Sequence, residues 1–464
     1  MVFVALCENL YEETKVFNRT IIKELEVWAQ KEHRKPLVLR GARQTGKTTT
    51  VEIFSKQFDQ YLYFNLDLSK DRELFEKGYG IDELVQALFF LKNEQRGPGR
   101  TLIFIDEIQN SPRAVSMLRY FYESAKELFV ITAGSLLEPL IDTHISFPVG
   151  RVEYLYMKPL TFHEYLAALS HFSSLEVLSQ IPCPDFAHDE LLSQFYTYTL
   201  IGGMPEIVKT YVETNDLSKL NTIYESLLRS YLDDVEKYAR NKTLTGVMRH
   251  AIESSFYSAG NRIRFEGFGN SRYKSKEMSE ALKTLEKAML IHLMYPATGA
   301  RLPIIVDYKK SPRLHLIDTG LVNYFVGLQK ELFGTQNLNS VYEGKIAEHI
   351  VGQELLAGSH ILSEKVQFWV REKKQSNAQV DYIIPFEHYV IPLEVKTGAA
   401  GRLRSLHEFI DIAPHNYAVR IYAGRLKIDK IKTTKGKKFF LLNLPFYLTG
   451  QIKQYLNWFI NESI

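Results

Sequence analysis

Cysteine is scarce in this sequence, and long apolar runs are absent. Of 464 residues only two are cysteine, Cys7 and Cys183, far apart in the chain. That excludes a disulfide framework and a cysteine-rich zinc module, and it fits a reducing compartment. Both thiols read as plain apolar side chains. No apolar stretch approaches ~18 residues, so no membrane span and no membrane partner is expected. The first residues, Met1 to Leu10, lack a basic start and run into Glu8, Glu12 and Glu13, unlike a secretory leader. A cytoplasmic location is the expectation. An excess of one charge is missing too. Lys and Arg total 57 against 54 Asp and Glu, a net charge of +3. The whole-chain charge therefore does not announce a nucleic-acid binder, and clusters have to be judged locally. Internal repeats and low-complexity tracts are likewise absent.

What is present has an ordinary globular composition, 45% hydrophobic and 24% charged. At roughly 100–200 residues per domain, the length suggests about two to four domains. Residues 20–35 read as an amphipathic helix through Ile21, Ile22, Leu25 and Trp28. Short apolar strands then alternate with helical segments, at 36–40, 61–66, 102–105, 128–132 and 152–156. That alternation predicts a parallel sheet covered on both faces. After about residue 160 the periodicity turns helical, broken sharply at Gly202-Gly203-Met204-Pro205. Residues 275–290 carry Met278, Ala281, Leu282, Leu285 and Met289 at helical spacing. A strand pair is expected next, at 291–295 and 304–308. Helices followed by a hairpin suggest a winged helix. From 341 a helix, three strands at 366–370, 379–385 and 389–395, a helix at 403–412 and a strand at 417–422 are expected.

The fold class is thus α/β. Its predicted parts are an N-terminal helical segment (1–34), a parallel-sheet core (35–160), a helical lid or linker (161–240), a winged-helix-like module (241–338) and a last α/β domain (339–464).

Gly41-Ala42-Arg43-Gln44-Thr45-Gly46-Lys47-Thr48 fits G-x-x-x-x-G-K-[ST] without deviation, between a strand and a helix. Such glycines let backbone N–H groups face one point, to which a helix N-terminus adds partial positive charge. The run from Gly41 to Thr48, with Thr49 after it, is the expected cradle for nucleotide phosphates. Lys47 would reach the β- and γ-phosphates, and Thr48 would ligate Mg²⁺. The second half of the site is Leu102-Ile-Phe-Ile-Asp106-Glu107. A buried strand delivers two carboxylates at its C-terminal end, the edge where open α/β sheets bind ligands. Asp106 would hold Mg²⁺ and Glu107 would polarise the attacking water. Ser135, in Thr-Ala-Gly-Ser, reads as a γ-phosphate sensor or as a turn residue. Arg151 reads as an arginine finger or as a structural salt bridge. A finger acts in cis or across a subunit interface, and the latter needs a homo-oligomer. Gln109 is a candidate for positioning. A guanine-reading Asn-Lys-x-Asp signature is absent, so ATP is the expected nucleotide.

A second constellation lies near the C-terminus. Asp381 stands in Gln379-Val-Asp381, and Glu394-Val-Lys396 follows on another strand. Period-two alternation puts Glu394 and Lys396 on one face, where Asp381 from a neighbouring strand can meet them. Glu348, on the preceding helix, is a possible third carboxylate. Carboxylates of this kind bind Mg²⁺, and a lysine orients water or stabilises phosphate charge. The motif and the element order resemble the PD-(D/E)xK nuclease core. The stretch 425–438 holds one arginine and six lysines against one aspartate. It suits phosphate backbones through counterion release, or a solvated hairpin.

With these motifs quoted, the chain resembles the bacterial and archaeal AAA-superfamily ATPases that carry domain of unknown function 4143. The resemblance rests on the two nucleotide motifs, Thr-Ala-Gly-Ser, Gly150-Arg151-Val with Pro-Leu-Thr-Phe-His-Glu-Tyr, Gly-Gly-Met-Pro, Asp318-Thr-Gly-Leu, Gly344-Lys-Ile-Ala-Glu348, Val-Asp-Tyr and Leu-Glu-Val-Lys. It spans about residues 35–400. It implies an ATPase domain, a winged-helix-like middle and a nuclease-like end. Three functions follow as expectations: a machine coupling Mg²⁺-dependent ATP turnover to DNA binding or remodelling, an ATP-gated metal-dependent DNA nuclease, and a protein-directed signalling or scaffold ATPase whose nuclease-like domain is silent.

Overall fold

Strands β1 (Leu37–Arg40), β3 (Thr101–Asp106) and β4 (Phe129–Gly134) are buried along their whole length in the computed structural model. The model describes residues 17, 19–134, 148, 150–239, 242–329, 345–361, 366–371, 378–396 and 403–462. With β2 (Gln60–Asn65) and β5 (Glu153–Tyr156) they form a five-stranded sheet in the order β2-β3-β4-β1-β5, every pair parallel. Alternation along each strand feeds two cores. Val38, Leu62, Phe64, Ile103, Ile105 and Val130 enter one, beneath the helices Ile81–Leu91 and Pro112–Ser124. Leu37, Leu39, Leu102, Phe104 and Ile131 enter the other, beneath the helices Ile21–Ala29 and Lys47–Ser55. A continuous apolar strand is thus a strand buried on both faces. The helix Pro112–Ser124 starts where its sequence says: Pro112 takes the first turn and the Ser111 hydroxyl accepts the Ala114 N–H at 3.1 Å.

The chain divides into two compact units. The sheet just described belongs to the first, which runs to Lys158 and takes in short stretches at 287–289 and around His360. The second starts with the helix Phe162–Ala168. A capping box opens it, with Thr161 and Glu164 each bonding the other's backbone N–H. Further helices follow at His188–Ile201, Pro205–Thr214, Leu220–Tyr238, Lys242–Tyr257 and Ser275–Lys287. Next come β6 (Ile291–Met294), the short β7 (Pro296–Ala297) and β8 (Arg313–Leu316). β6 pairs antiparallel with β8. The partner strand expected at 304–308 is therefore not formed. Its β-branched residues favour extension, but Ile305 is 76% exposed, and the stretch offers the isolated bridge Val306–Ala297. All four residues of β8 are buried, and burial decides which segment pairs.

After the helices Thr319–Phe325 and Lys345–Ala357 come β9 (Gln367–Val370), β10 (Gln379–Phe386) and β11 (Tyr389–Lys396). The helix Arg404–Ile412 and β12 (Tyr417–Tyr422) complete the element order expected from 341 onward. A basic hairpin of β13 (Lys427–Lys432) and β14 (Lys438–Pro445) extends the sheet, and the helix Ile452–Glu462 follows. The sheet is mixed and seven-stranded, in the order β13-β14-β12-β11-β10-β9-β7. Among the described residues no helix is long and apolar enough to cross a membrane.

A buried polar network joins these helices. The Gly203 N–H donates to Asp318 Oδ2 at 2.7 Å, and the Leu160 N–H donates to the Gly203 carbonyl at 2.7 Å. The Tyr198 hydroxyl lies 2.7 Å from the Leu160 carbonyl and 2.8 Å from Glu354 Oε1. Glu354 Oε1 also accepts the Phe162 N–H at 3.0 Å, at the start of the helix Phe162–Ala168. Gln353 accepts the Thr319 N–H at 2.7 Å. Here glycine is required: a Cβ on Gly203 would overlap the Leu160 carbonyl, and Gly202 has φ +77° against the Asp318 carboxylate. Burial raises the carboxyl of Asp318 to about 6 and that of Glu354 to about 7.

Two outcomes are expected. Gly203→Ala should lose about 1–3 kcal/mol of stability in thermal or urea unfolding, because the peptide it touches cannot yield. Glu354 has a folded value of about 7 against an ordinary 4.5. Its favourable contribution is complete below 4.5 and is lost as pH rises through 7. Glu354→Gln should therefore stabilise the chain relative to the parent at about pH 8 more than at about pH 5. A pH-independent difference in melting temperature would sink this account.

Candidate functional site

The glycine-rich loop between β1 and the helix Lys47–Ser55 is shaped by two left-handed residues, Gln44 at φ 63° and Gly46 at φ 91°. Gly41 has no room for a side chain, since a Cβ there would stand 2.6 Å from the Met157 carbonyl. The Thr45 hydroxyl donates to the Ala42 carbonyl at 2.9 Å, and Arg19 Nη1 donates to the Thr45 carbonyl at 3.0 Å. Lys47 is buried and folded back on the loop, donating to the carbonyls of Gly41 at 3.0 Å and Ala42 at 2.9 Å. Its ammonium thus sits over the loop that curls in front of a helix N-terminus, where an anion is favoured. Arg43 is half-buried, while Gln44 and Thr49 are exposed.

Because β4 lies between β1 and β3, the loop and the end of β3 face each other across one strand. The Thr48 hydroxyl reaches Asp106 Oδ2 at 2.6 Å. A hydroxyl and a carboxylate meeting at that point form the oxygen pair a hard cation takes. Glu107 leaves β3 with a left-handed backbone, φ 51°, a conformation costly for a non-glycine residue and frequent at functional sites. Its N–H donates to Asp106 Oδ1 at 3.0 Å. The Gln109 amide donates to Glu107 Oε2. Gly134, at the end of β4, leaves space for Gln109, whose Oε1 a Cβ there would overlap. Burial raises the Glu107 carboxyl above the usual range; the Gln109 bond opposes this and the Asp106 charge adds to it.

Ser135 falls outside the described residues. The partner of Arg151 is Glu123, at 3.2 Å in a partly exposed ion pair that Arg119 shares.

In the second unit the structure brings Glu348, Asp381, Glu394 and Lys396 into one cluster. Lys396 Nζ is 2.8 Å from Glu394 Oε1. The Val395 N–H donates to Asp381 Oδ2 at 2.9 Å. Burial, then the Asp381 charge, raises Glu348 to about 7 and Glu394 to about 8. Burial raises Asp381 as well. Burial lowers the Lys396 ammonium most, but Glu394, Asp381 and Glu348 together raise it and the net shift is upward. Sequence reasoning missed a fifth member, Arg313 of β8, which lies 3.5 Å from Glu348 and 3.7 Å from Asp381. The signal was there: an arginine opening a strand that is otherwise apolar and histidine needs a buried counter-charge. Among the described residues, no three Asp, Glu, His or Cys side chains converge closely enough to hold a metal ion.

Family comparison matches an AAA domain over residues 33–166. It also matches domain of unknown function 8612 over 192–332 and domain of unknown function 4143 over 343–446. Among solved structures, the chain is similar to a Walker-type ATPase of Pyrococcus abyssi: 14% identity, TM-score 0.46, 67% of this chain and 96% of that one. It is also similar to the RuvB Holliday junction branch migration motor of Thermotoga maritima, at 17% identity and TM-score 0.28, over 63% and 93% of the two chains. PCH-2 of C. elegans has 12% identity and TM-score 0.28, over 46% and 64%. No curated protein matches the chain.

The Glu107–Gln109 pair gives a pH test. Gln109→Ala removes the donor that favours the ionised carboxylate. The acid limb of the pH–rate profile for nucleotide hydrolysis should move to higher pH, with a loss of roughly tenfold at neutral pH. A limb that stays in place would show that Gln109 does not tune Glu107.

Proposed function

We propose that this chain, a P-loop ATPase of the AAA type that carries domain of unknown function 4143, hydrolyses ATP with Mg²⁺ and couples turnover to DNA. The observation that carries the first half is the meeting of Thr48 and Asp106 at 2.6 Å beside the buried Lys47. These groups converge where a helix N-terminus already favours phosphate. Gly41 to Thr49 would wrap the phosphates with backbone N–H groups. Lys47 would leave the carbonyls of Gly41 and Ala42 for the β- and γ-phosphate oxygens. Thr48 and Asp106 would hold Mg²⁺, which neutralises charge on the phosphates when bound. Glu107, held by Gln109, would take the proton of the attacking water. Ser135 follows β4 in sequence and is assigned the sensor role on that ground. Arg151, partly exposed, is suited to reach a neighbouring copy as a finger.

The DNA half rests on exposed cations in the second unit. Arg264, Arg272, Lys274 and Lys276 are exposed before and at the start of the helix Ser275–Lys287. Arg301 and Lys309 are exposed in the segment before β8. Such groups bind phosphate backbones by releasing counterions. On β13, Lys427, Lys430 and Lys432 are exposed as well. β13 ends its sheet, however, and lysines on an edge strand also block unwanted pairing. Read that way the β13 lysines give no support to DNA, and a protein-directed ATPase is the second reading.

Lys47→Ala should abolish nucleotide affinity or turnover. Glu107→Gln should retain ATP binding and cut hydrolysis by at least about a hundredfold, read by phosphate release. Hydrolysis at the parental rate in Glu107→Gln would remove Glu107 as the base. ATP turnover should rise several-fold with double- or single-stranded DNA and lose that rise at high salt. Turnover indifferent to DNA would leave the protein-directed reading standing.

A further inference from the structure

Arg313 occupies an unusual place. It opens β8, is 1% exposed, and belongs to the stretch matched by domain of unknown function 8612. The carboxylates it meets, Glu348 and Asp381, belong to the stretch matched by domain of unknown function 4143. Nη1 donates to the Asp381 carbonyl at 2.9 Å and lies 3.5 Å from Glu348 Oε2. Nη2 lies 3.7 Å from Asp381 Oδ1. The guanidinium is flanked by the rings of Phe368, at 5.0 Å, and Tyr382, at 5.6 Å. Tyr382 in turn donates to the Glu348 carbonyl at 2.6 Å. The arginine is thus fixed by backbone, carboxylates and two aromatic faces together.

A divalent ion needs about six oxygens, held at about 2.0–2.1 Å for Mg²⁺. Two oxygens of this cluster are already engaged by groups of the protein. Asp381 Oδ2 accepts the Val395 N–H, and Glu394 Oε1 is engaged by Lys396. Glu394 Oε2 is the one carboxylate oxygen of the cluster that is buried without a partner among the described residues. No three acidic side chains of the cluster converge closely enough to hold a metal ion among the described residues. Two organic cations already sit among three carboxylates, which supplies the charge a metal ion would bring.

We propose that Arg313 is the cation around which Glu348 and Asp381 are arranged, that it stands where a nuclease-like centre would hold its divalent metal ion, and that this centre binds no metal ion and cleaves no phosphodiester. The arginine reaches the carboxylates from outside the stretch that carries them, as a plug. The inference does not rest on the DNA reading above. A chain with a plugged centre can bind DNA or ignore it.

The test is Mn²⁺ binding by electron paramagnetic resonance on the full chain without nucleotide, which separates this cluster from the Thr48–Asp106 site. The parent chain and Asp381→Asn should bind Mn²⁺ alike. Arg313→Gln should gain a Mn²⁺ site at least about tenfold tighter than any in the parent, and adding Asp381→Asn should remove it. Mn²⁺ binding by the parent that Asp381→Asn abolishes would overturn the proposal, as would metal-dependent DNA cleavage lost in the same variant. A folded Arg313→Gln chain that takes up no Mn²⁺ would also overturn it. Should Arg313→Gln fail to fold, Arg313→Lys keeps a cation in place, and a Mn²⁺ site gained by that variant would count against the plug. Whether or not Arg313→Gln folds, the comparison of parent with Asp381→Asn decides whether the centre as it stands binds a metal ion.

Discussion

Charge withdrawn from water must be met by another group, and this chain meets that constraint in several places that give it its form. Lys47 is buried and answered by two loop carbonyls. Asp106 is buried and answered by a hydroxyl and a backbone N–H. Asp318 is answered by the N–H groups of Gly203 and Leu321, and Glu354 by a helix start. Arg313 is answered by Glu348 and Asp381. Each arrangement fixes the direction of a loop or a helix, because an unanswered buried charge would cost more than the packing around it returns.

The arrangements differ in what they can do. The group around Lys47 and Asp106 is open to exchange. Its partners are backbone carbonyls and a hydroxyl, and phosphate oxygens or a hard cation bind more strongly to the same groups. The left-handed turn at Glu107 and its Gln109 bond hold a carboxylate in a costly conformation beside them, which suits a base aimed at one spot. The cluster around Arg313 is closed. Its cations belong to the protein, and aromatic rings cover the guanidinium. A shared vocabulary of carboxylates and cations thus describes one site whose partners can exchange and another whose cations belong to the protein.

The network around Asp318 and Glu354 explains several sequence features that chemistry alone leaves idle. Gly-Gly-Met-Pro is a turn where a peptide passes too close for a side chain. Asp318-Thr-Gly-Leu is a helix cap whose carboxylate also serves that turn. Thr161 and Glu164 are a capping box whose helix start is also held by Glu354. The role of these residues is to hold helices of the second unit in one arrangement.

The sequence by itself determined where the two motifs of the candidate nucleotide site lie. Its residues lie in two short local motifs, and each motif is tied to one strand end whose position follows from the alternation of strands and helices. The five-stranded parallel sheet and the order of elements from 341 onward were legible for the same reason, since periodicity is a local signal. Tertiary structure decided what pairs with what. Residues 304–308 look like a strand, yet 313–316 took the pairing because all four of its residues could be buried. Glu348, Asp381 and Glu394 could be listed from the sequence as ligands. That a guanidinium from β8 reaches two of them is a contact between residues far apart in the chain, and no local pattern encodes it. Local motifs carry chemistry because covalent spacing fixes their geometry. Buried charge finds its partner only when the whole fold has closed around it.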